Sequence, residues 1–507
     1  MNIAEPDGWH HGEETCPSAT HGFVISAQAT RGAVAMLKRE WWSRVWTVQE
    51  MILAPTVIFM CGSLAASAPD VEYVCNSILM HTVSEAFDAN DAGTFYDLGD
   101  LISDPDGKFY IAKMRLHRTS SIKKELGTLL CLHRWLRAKD PRDKVYGCLG
   151  IAASLYGIEP DYTISTVECY TRAAFKIISG SRSLEIFSAL RTPSCLKGSL
   201  TELPSWVPDW SYDFTSIPDQ EKGPSGINNP IIRENVRTPI LIETRDAFPE
   251  WKASKSNLSF TTRLLEDRKT LILKGFILDK VSSVGDKLVY PFPGPELSSD
   301  DVVADLIHEL KRTSKIWAGI GGVIHTIKGW QDLAFKTPDL QLISGESRMD
   351  AFLTTLVSNR IRRDADRRNV LEYLEKSVRI GFEMPTSGKI LNQLFISQIA
   401  PKLYFKLLGY IKLHSIDWSD MLSVGKSFTD IQWAFDHKIA ITSSGYLCLV
   451  PWATESGDRI ALLQGGRTPY VFRKAEKKWN IIGDCYVHGI MSGEAWSDDR
   501  CVDMEII

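Results

Sequence analysis

The C-terminal segment 438–507 limits the fold of this chain more than any other stretch. Six short strand-like runs follow one another there: Lys438 to Thr442, Tyr446 to Val450, Arg459 to Leu463, Pro469 to Arg473, Trp479 to Gly483 and Cys485 to Met491. Between them stand turn residues, Ser443-Ser444-Gly445, Ser456-Gly457-Asp458, Gly465-Gly466 and Glu476-Lys477-Lys478. Closely spaced strands joined by hairpin-type turns predict a small antiparallel barrel or sheet.

At the other end, Trp41-Trp42-Ser43-Arg44-Val45-Trp46-Thr47-Val48-Gln49-Glu50 sets three tryptophans beside ionisable groups. Read as part of a helix from about Gly32 to Met51, it places Trp42, Trp46 and Glu50 at i, i+4 and i+8 on one face. Trp41, Val45, Val48 and Ile52 form the adjacent apolar stripe, and Glu40 precedes Arg44 in the favourable order for a helix ion pair. Two readings stand: a core helix, or an aromatic wall with a carboxylate at its edge. Thr56 to Gly62 then reads as a short buried strand ended by glycine, half of an α/β unit.

The middle of the chain is predominantly helical in pattern. Asp70 to Leu79, Ile122 to Leu136, Ser165 to Ile178, Asp300 to Trp317, Arg348 to Phe382 and Lys389 to Leu413 carry helix-period apolar positions. Asp140 before Pro141 reads as an N-cap with proline in the first turn, and Gly150 as the end of that short helix. Thr163 or Ser165 can cap the next helix. Pro204 to Trp210 is a rigid extended segment. Pro239 to Glu243 and Thr270 to Val281 are strand-like, the second apolar enough to be buried. The predicted order is a poorly organised lead-in (1–30), a helix and strand (31–66), a helical region (67–215), a mixed region (216–437) and a C-terminal β domain (438–507).

The net charge of −4 gives no indication of a nucleic-acid partner. Nothing at the start resembles a signal peptide, no apolar run reaches a membrane span, and the ten cysteines form no Cys-x-x-Cys pair. The expectation is a cytoplasmic protein with reduced thiols. The His-Glu-x-x-His, P-loop, Gly-x-Ser-x-Gly and kinase patterns are absent. Gly319 to Ile324 opens like a dinucleotide fingerprint but lacks its third glycine and a preceding strand. No metal spacing is found, and His488 reads as a structural histidine.

Four blocks resemble, in order, those of the fungal heterokaryon-incompatibility (HET) domain family. They are Trp42 to Glu50 with Ala54 and Cys61-Gly62; Asp140-Pro141-Arg142-Asp143-Lys144-Val145-Tyr146-Gly147; Pro160-Asp161-Tyr162 with Leu203 to Trp210; and Gly445 to Glu494. The family's earlier Ala-Leu-Ser-Tyr, Cys-Ile-Asn-Gln and Trp-Leu-Gly segments have no counterpart, so the resemblance implies a chain that enters near the end of that domain, N-terminally truncated. The implied fold is α+β, with a partial α/β remnant similar to Toll/interleukin-1 receptor (TIR) domains, a mainly helical middle and the C-terminal β-barrel or sheet.

The function implied is fungal self/non-self recognition or a death response, through assembly with other proteins or with itself rather than turnover, with no cofactor. Loss of activity through truncation is one form of that expectation. The alternative is a TIR-like NAD hydrolase. In it Glu50 would be catalytic, stabilising an oxocarbenium-like transition state, with Trp46 and Arg44 contacting the NAD substrate. The resemblance makes Trp42, Gln49, Asp140, Arg142, Asp143, Tyr146, Asp161, Trp206, Asp209, Trp210, Gly457, Asp458, Gly489, Gly493 and Glu494 structural positions.

Overall fold

The computed structural model describes residues 36, 39–71, 124–133, 136–190, 200, 202–211, 251–254, 260–289, 321–359, 372, 431 and 434–507. The expected elements at 239–243, 300–317 and 389–413 lie outside the described residues. The chain divides into two units, Met1–Lys123 and Lys124–Ile507.

In the first unit the tryptophan-rich stretch is not one helix. A 3-10 turn, Glu40–Ser43, ends at Arg44, which is extended (φ −83°, ψ 136°), and helix α1 spans only Thr47–Leu53. The Thr47 hydroxyl donates to the Arg44 carbonyl at 2.7 Å across the break. Within the 3-10 turn, Trp42 stacks on Phe59 (centroids 5.3 Å, 22°) while Trp41 meets the same ring edge-on at 5.9 Å.

The strand that follows is also not the buried half of an α/β unit. Strands β1 (Ile58–Cys61) and β2 (Leu64–Ser67) form an antiparallel hairpin, with Gly62 at φ +63° in its turn. Ile58 and Met60 are 60% and 77% exposed, and only the alternate residue, Phe59, turns inward to the tryptophans. Among the described residues this unit has antiparallel pairing alone, and the TIR-like arrangement is not formed by them.

The second unit joins helices to a nine-stranded sheet. Helix α2 spans Leu126–His133, α3 Asp143–Leu149 and α4 Thr166–Ser181; α5 covers residues 321–336 and α6 Arg348–Leu356. Capping follows the sequence closely. The Ser165 hydroxyl accepts the Glu168 amide ahead of α4, and Ser347 accepts that of Asp350 ahead of α6. Gly321 and Gly322 are helical, part of α5.

The strands are β3 (Thr262–Leu264), β4 (Leu271–Val284), β5 (His437–Thr442), β6 (Leu447–Pro451), β7 (Arg459–Leu463), β8 (Tyr470–Ala475), β9 (Lys478–Asp484), β10 (Tyr486–Val487) and β11 (Val502–Ile506). Their order is β10-β6-β5-β4-β11-β9-β8-β7, with β3 on β4 and a further β4–β7 ladder. The sheet as a whole is not a closed barrel, since β10 and β3 pair on one side only among the described residues. It does curl back on β4. That strand pairs with β11 over 271–275, with β7 over 275–280 and with β5 over 281–284, changing register at bulges after Ile277 and Val281. At Gly275 a Cβ would overlap the carbonyl oxygen of Leu462, so only glycine permits this approach.

Strands β5 and β6 are buried on both faces, which is why they read as continuous apolar runs. Ile439, Ile441, Leu447 and Leu449 pack with Trp330 of α5 and Phe352 and Leu356 of α6. The alternate residues Ala440, Cys448 and Val450 face a second core with Phe276, Ile460, Leu462 and Val471. The last predicted strand is cut short. Only Tyr486–Val487 pair, and Gly489 (φ +83°) and Gly493 (φ +90°) turn the chain in left-handed conformations closed to a strand.

Candidate functional site

The second and third sequence blocks converge on the N-terminus of α3. Asp140 does not cap the helix from the N-cap position; α3 begins at Asp143, with Arg142 before it. The Asp140 carboxylate instead takes the Arg142 amide (3.0 Å) and its guanidinium, from Nε at 2.9 Å and Nη2 at 2.6 Å. Arg142 Nη1 donates to the carbonyls of Tyr162 (2.8 Å) and Ile164 (2.7 Å), and the guanidinium lies over the Tyr162 ring at 5.3 Å. The Tyr162 hydroxyl donates to Asp143 Oδ1 at 2.6 Å, and that of Tyr146 to the Asp161 carbonyl at 3.0 Å.

Chain direction is fixed by further links. Asp161 accepts the Thr163 amide and hydroxyl, at 2.9 and 2.6 Å. Tyr170 of α4 donates to the Pro141 carbonyl at 2.7 Å and receives the Trp210 indole edge-on at 5.1 Å. Asp209 accepts the Leu200 and Ser211 amides. Trp206 donates its Nε1 to the Lys269 carbonyl at 2.8 Å, while Ser205 hydrogen-bonds the Ile507 carbonyl and accepts the Ile481 amide. The rigid Pro204–Trp210 segment thus ties the helices to the β3–β4 turn and to the sheet.

The electrostatics are those of a closed lock. The hydrogen bond from Arg142 holds the Asp140 carboxyl below its usual range, and Asp140 in turn raises Arg142. Asp161 is lowered by the Thr163 hydroxyl and amide. Burial, with Cys169 beside it, pushes Tyr146 up to about 12, and burial raises Tyr162 and Tyr170. The phenols stay neutral donors at physiological pH. Arg142 spends its donors on internal acceptors, so this cluster orients backbone and does not offer a free cation to a substrate.

The fourth block forms a separate lock. Asp458, 4% exposed, receives Arg473 Nε and Nη2, both at 2.9 Å, and the Glu455 amide at 2.8 Å. Gly457 (φ +102°) completes the turn and donates its amide to Val281. Glu494 accepts the Ser492 amide at 2.9 Å beside Gly493. Buried His488 meets Glu346 at 2.7 Å, a partner 142 residues away that no local pattern announces. Tyr162, Tyr170 and Ser205 were likewise invisible as contributors. Each sits inside or near a recognised block, but its partner comes from the tertiary fold.

In the first unit Trp42 and Val48 are buried, Trp46 and Gln49 half-buried, and Arg44 and Glu50 exposed. The Glu50 carboxylate accepts the Trp41 indole N–H at 3.1 Å. Among the described residues, no group of three His, Cys, Asp or Glu side chains is placed to hold a metal ion. No described helix is long and apolar enough to cross a membrane.

Helices packed on a curled C-terminal sheet define the class of this protein, and the family model described as the Het-6 beta-barrel domain matches residues 411–505. Over 499 residues the chain is 23% identical to heterokaryon incompatibility protein 6, OR allele, of Neurospora crassa, covering 90% of this chain and 65% of that protein. Both similarities are to heterokaryon-incompatibility proteins. It spans somewhat under two thirds of the length of the curated relative it matches. No solved structure matches it.

Proposed function

We propose that this chain acts in heterokaryon incompatibility, the process named in its relative, as a component of fungal self/non-self recognition, and that it does so through contacts with other proteins or copies of itself rather than through turnover. The observation that carries this reading is the similarity to heterokaryon incompatibility protein 6 over 90% of the chain. The geometry of the second unit supports it. The charged motif residues Asp140, Arg142, Asp458 and Arg473 saturate one another with internal hydrogen bonds, as a scaffold requires.

The test is expression of the full chain in a filamentous fungus, scored by the growth and viability of heterokaryons with a panel of tester strains. Arrest or death confined to particular tester genotypes, with the chain recovered in a complex, is the expected result. Unchanged heterokaryon formation with every tester would overturn the reading.

A further inference from the structure

Helices α2 and α4, the turn between 154 and 157, and the segment Ser183 to Ile186 line a partly open cleft of about 390 Å³ that none of the locks above uses. Its volume lies in the range of small-molecule sites, about 300–1,000 Å³. It is also far larger than a bare metal ion needs. The lining is mixed. Glu125, Glu185, Thr128, Ser154, Ser181 and Ser183 supply oxygen, and Ile177, Ile186 and the Tyr156 ring supply apolar surface. None of the described lining residues is cationic.

The site is held in shape from several directions. Tyr156 adopts a left-handed backbone (φ 48°), rare for an aromatic residue. Its hydroxyl donates to Glu125 Oε2. Its ring lies where any Cβ at position 180 would stand, so Gly180 is required for the ring to enter. Glu185 is positioned by Arg467, which reaches Oε1 at 3.2 Å. The second carboxylate oxygen of each glutamate takes no hydrogen bond among the described residues. The Ser181 hydroxyl donates back to the Ile177 carbonyl at 2.7 Å. The carbonyl end of α4, the negative pole of its dipole, borders the same space.

We infer that this cavity is a binding site for a small alkylammonium ligand, an amine whose charge is met by Glu125 and Glu185 and whose carbon chain lies along Tyr156, Ile177 and Ile186. Arg467 is the counter-ion of Glu185, so the net negative charge of the site comes from Glu125, which has the neutral Tyr156 hydroxyl as its partner; with the hydroxyl oxygens and the helix C-terminus it favours positive charge. The aromatic face adds a cation–π surface.

The probe is putrescine, titrated into the purified full chain in phosphate buffer near neutral pH and followed by calorimetry. Its uncharged isostere, 1,4-butanediol, serves as the comparison. Saturable one-site binding of putrescine is expected, with the diol at least about tenfold weaker. Glu125→Gln, which keeps the shape and an acceptor for Tyr156, is expected to weaken putrescine by about tenfold or more at an unchanged melting temperature. Absence of saturable putrescine binding, equal binding of the diol, or an unaltered affinity in a folded Glu125→Gln variant would each overturn the inference. Should that variant fail to fold, the amine-versus-diol comparison on the unmodified chain decides alone.

Discussion

The guanidinium of Arg142 closes on the carboxylate of Asp140 two residues earlier in the chain, and the N–H groups left over reach the Tyr162 and Ile164 carbonyls about twenty residues later. One side chain therefore joins a local turn to the approach of α4. A lysine carries the charge but not the planar fork. Arg142→Lys is expected to lose the planar fork and to lower the urea midpoint of the second unit. An unchanged midpoint would mean the clamp is dispensable.

Asp458 and Arg473 form the corresponding clamp in the sheet, with the carboxylate almost wholly buried. Arg473→Met leaves that carboxylate without its counter-ion, and the expected loss is about 3 kcal/mol or more. A double variant that also carries Asp458→Asn should recover part of it, because the stranded charge is then gone. Equilibrium unfolding of the set measures the coupling.

Gly275 is the point where β4 leaves β11 for β7, and the β7 backbone passes directly over it. Gly275→Ala should force the two strands apart, at about 3 kcal/mol. Hydrogen exchange is expected to show the added opening in β4 and β7 rather than in β5 and β6.

The acid limb of the stability profile should carry the signature of Asp267. Burial acts to raise its pKa, but the Thr270 hydroxyl and the amides of Thr270 and Lys269 outweigh it and bring the value down to about 2. A folded pKa below the unfolded value, roughly 3.9, means stability that is present above about pH 4 and lost as the pH falls toward 2. Asp267→Asn should flatten that limb in melts recorded across the window, while an unchanged slope would assign it to other carboxylates.

The first unit separates core from surface at neighbouring positions. Trp42 is 2% exposed, stacks on Phe59 and donates its Nε1 to the Met36 carbonyl at 3.0 Å. Trp42→Ala is expected to lose about 3–5 kcal/mol. Glu50→Ala, on an exposed side chain, should stay within about 0.5 kcal/mol. Thermal melts of both variants distinguish a packing tryptophan from an exposed carboxylate.

Local pattern was a good guide wherever one element answers for itself. Ser165 caps α4, the turns at 443–445, 456–458 and 476–477 fall between β-strands, and Arg459–Leu463 is a strand as read. Strand β11 is not among the runs read from the sequence, although Met504 and Ile506 alternate with Asp503 and Glu505. The tryptophan helix does not form as one element. Its periodicity is good, but the chain is extended at Arg44 and divides into a 3-10 turn and a short helix.

By itself, then, the sequence determined helix caps such as Ser165, the strand-and-turn rhythm of the C-terminus and the family resemblance, since all three are written in neighbouring residues. Only the tertiary structure decided that β4 organises the sheet, that Arg142 and Asp458 are clamps, and that Glu125, Tyr156 and Glu185 share a cavity. Those facts depend on contacts between residues tens to hundreds of positions apart, where the gain comes from burial and from satisfying buried polar groups, and neither quantity exists until the chain has closed on itself.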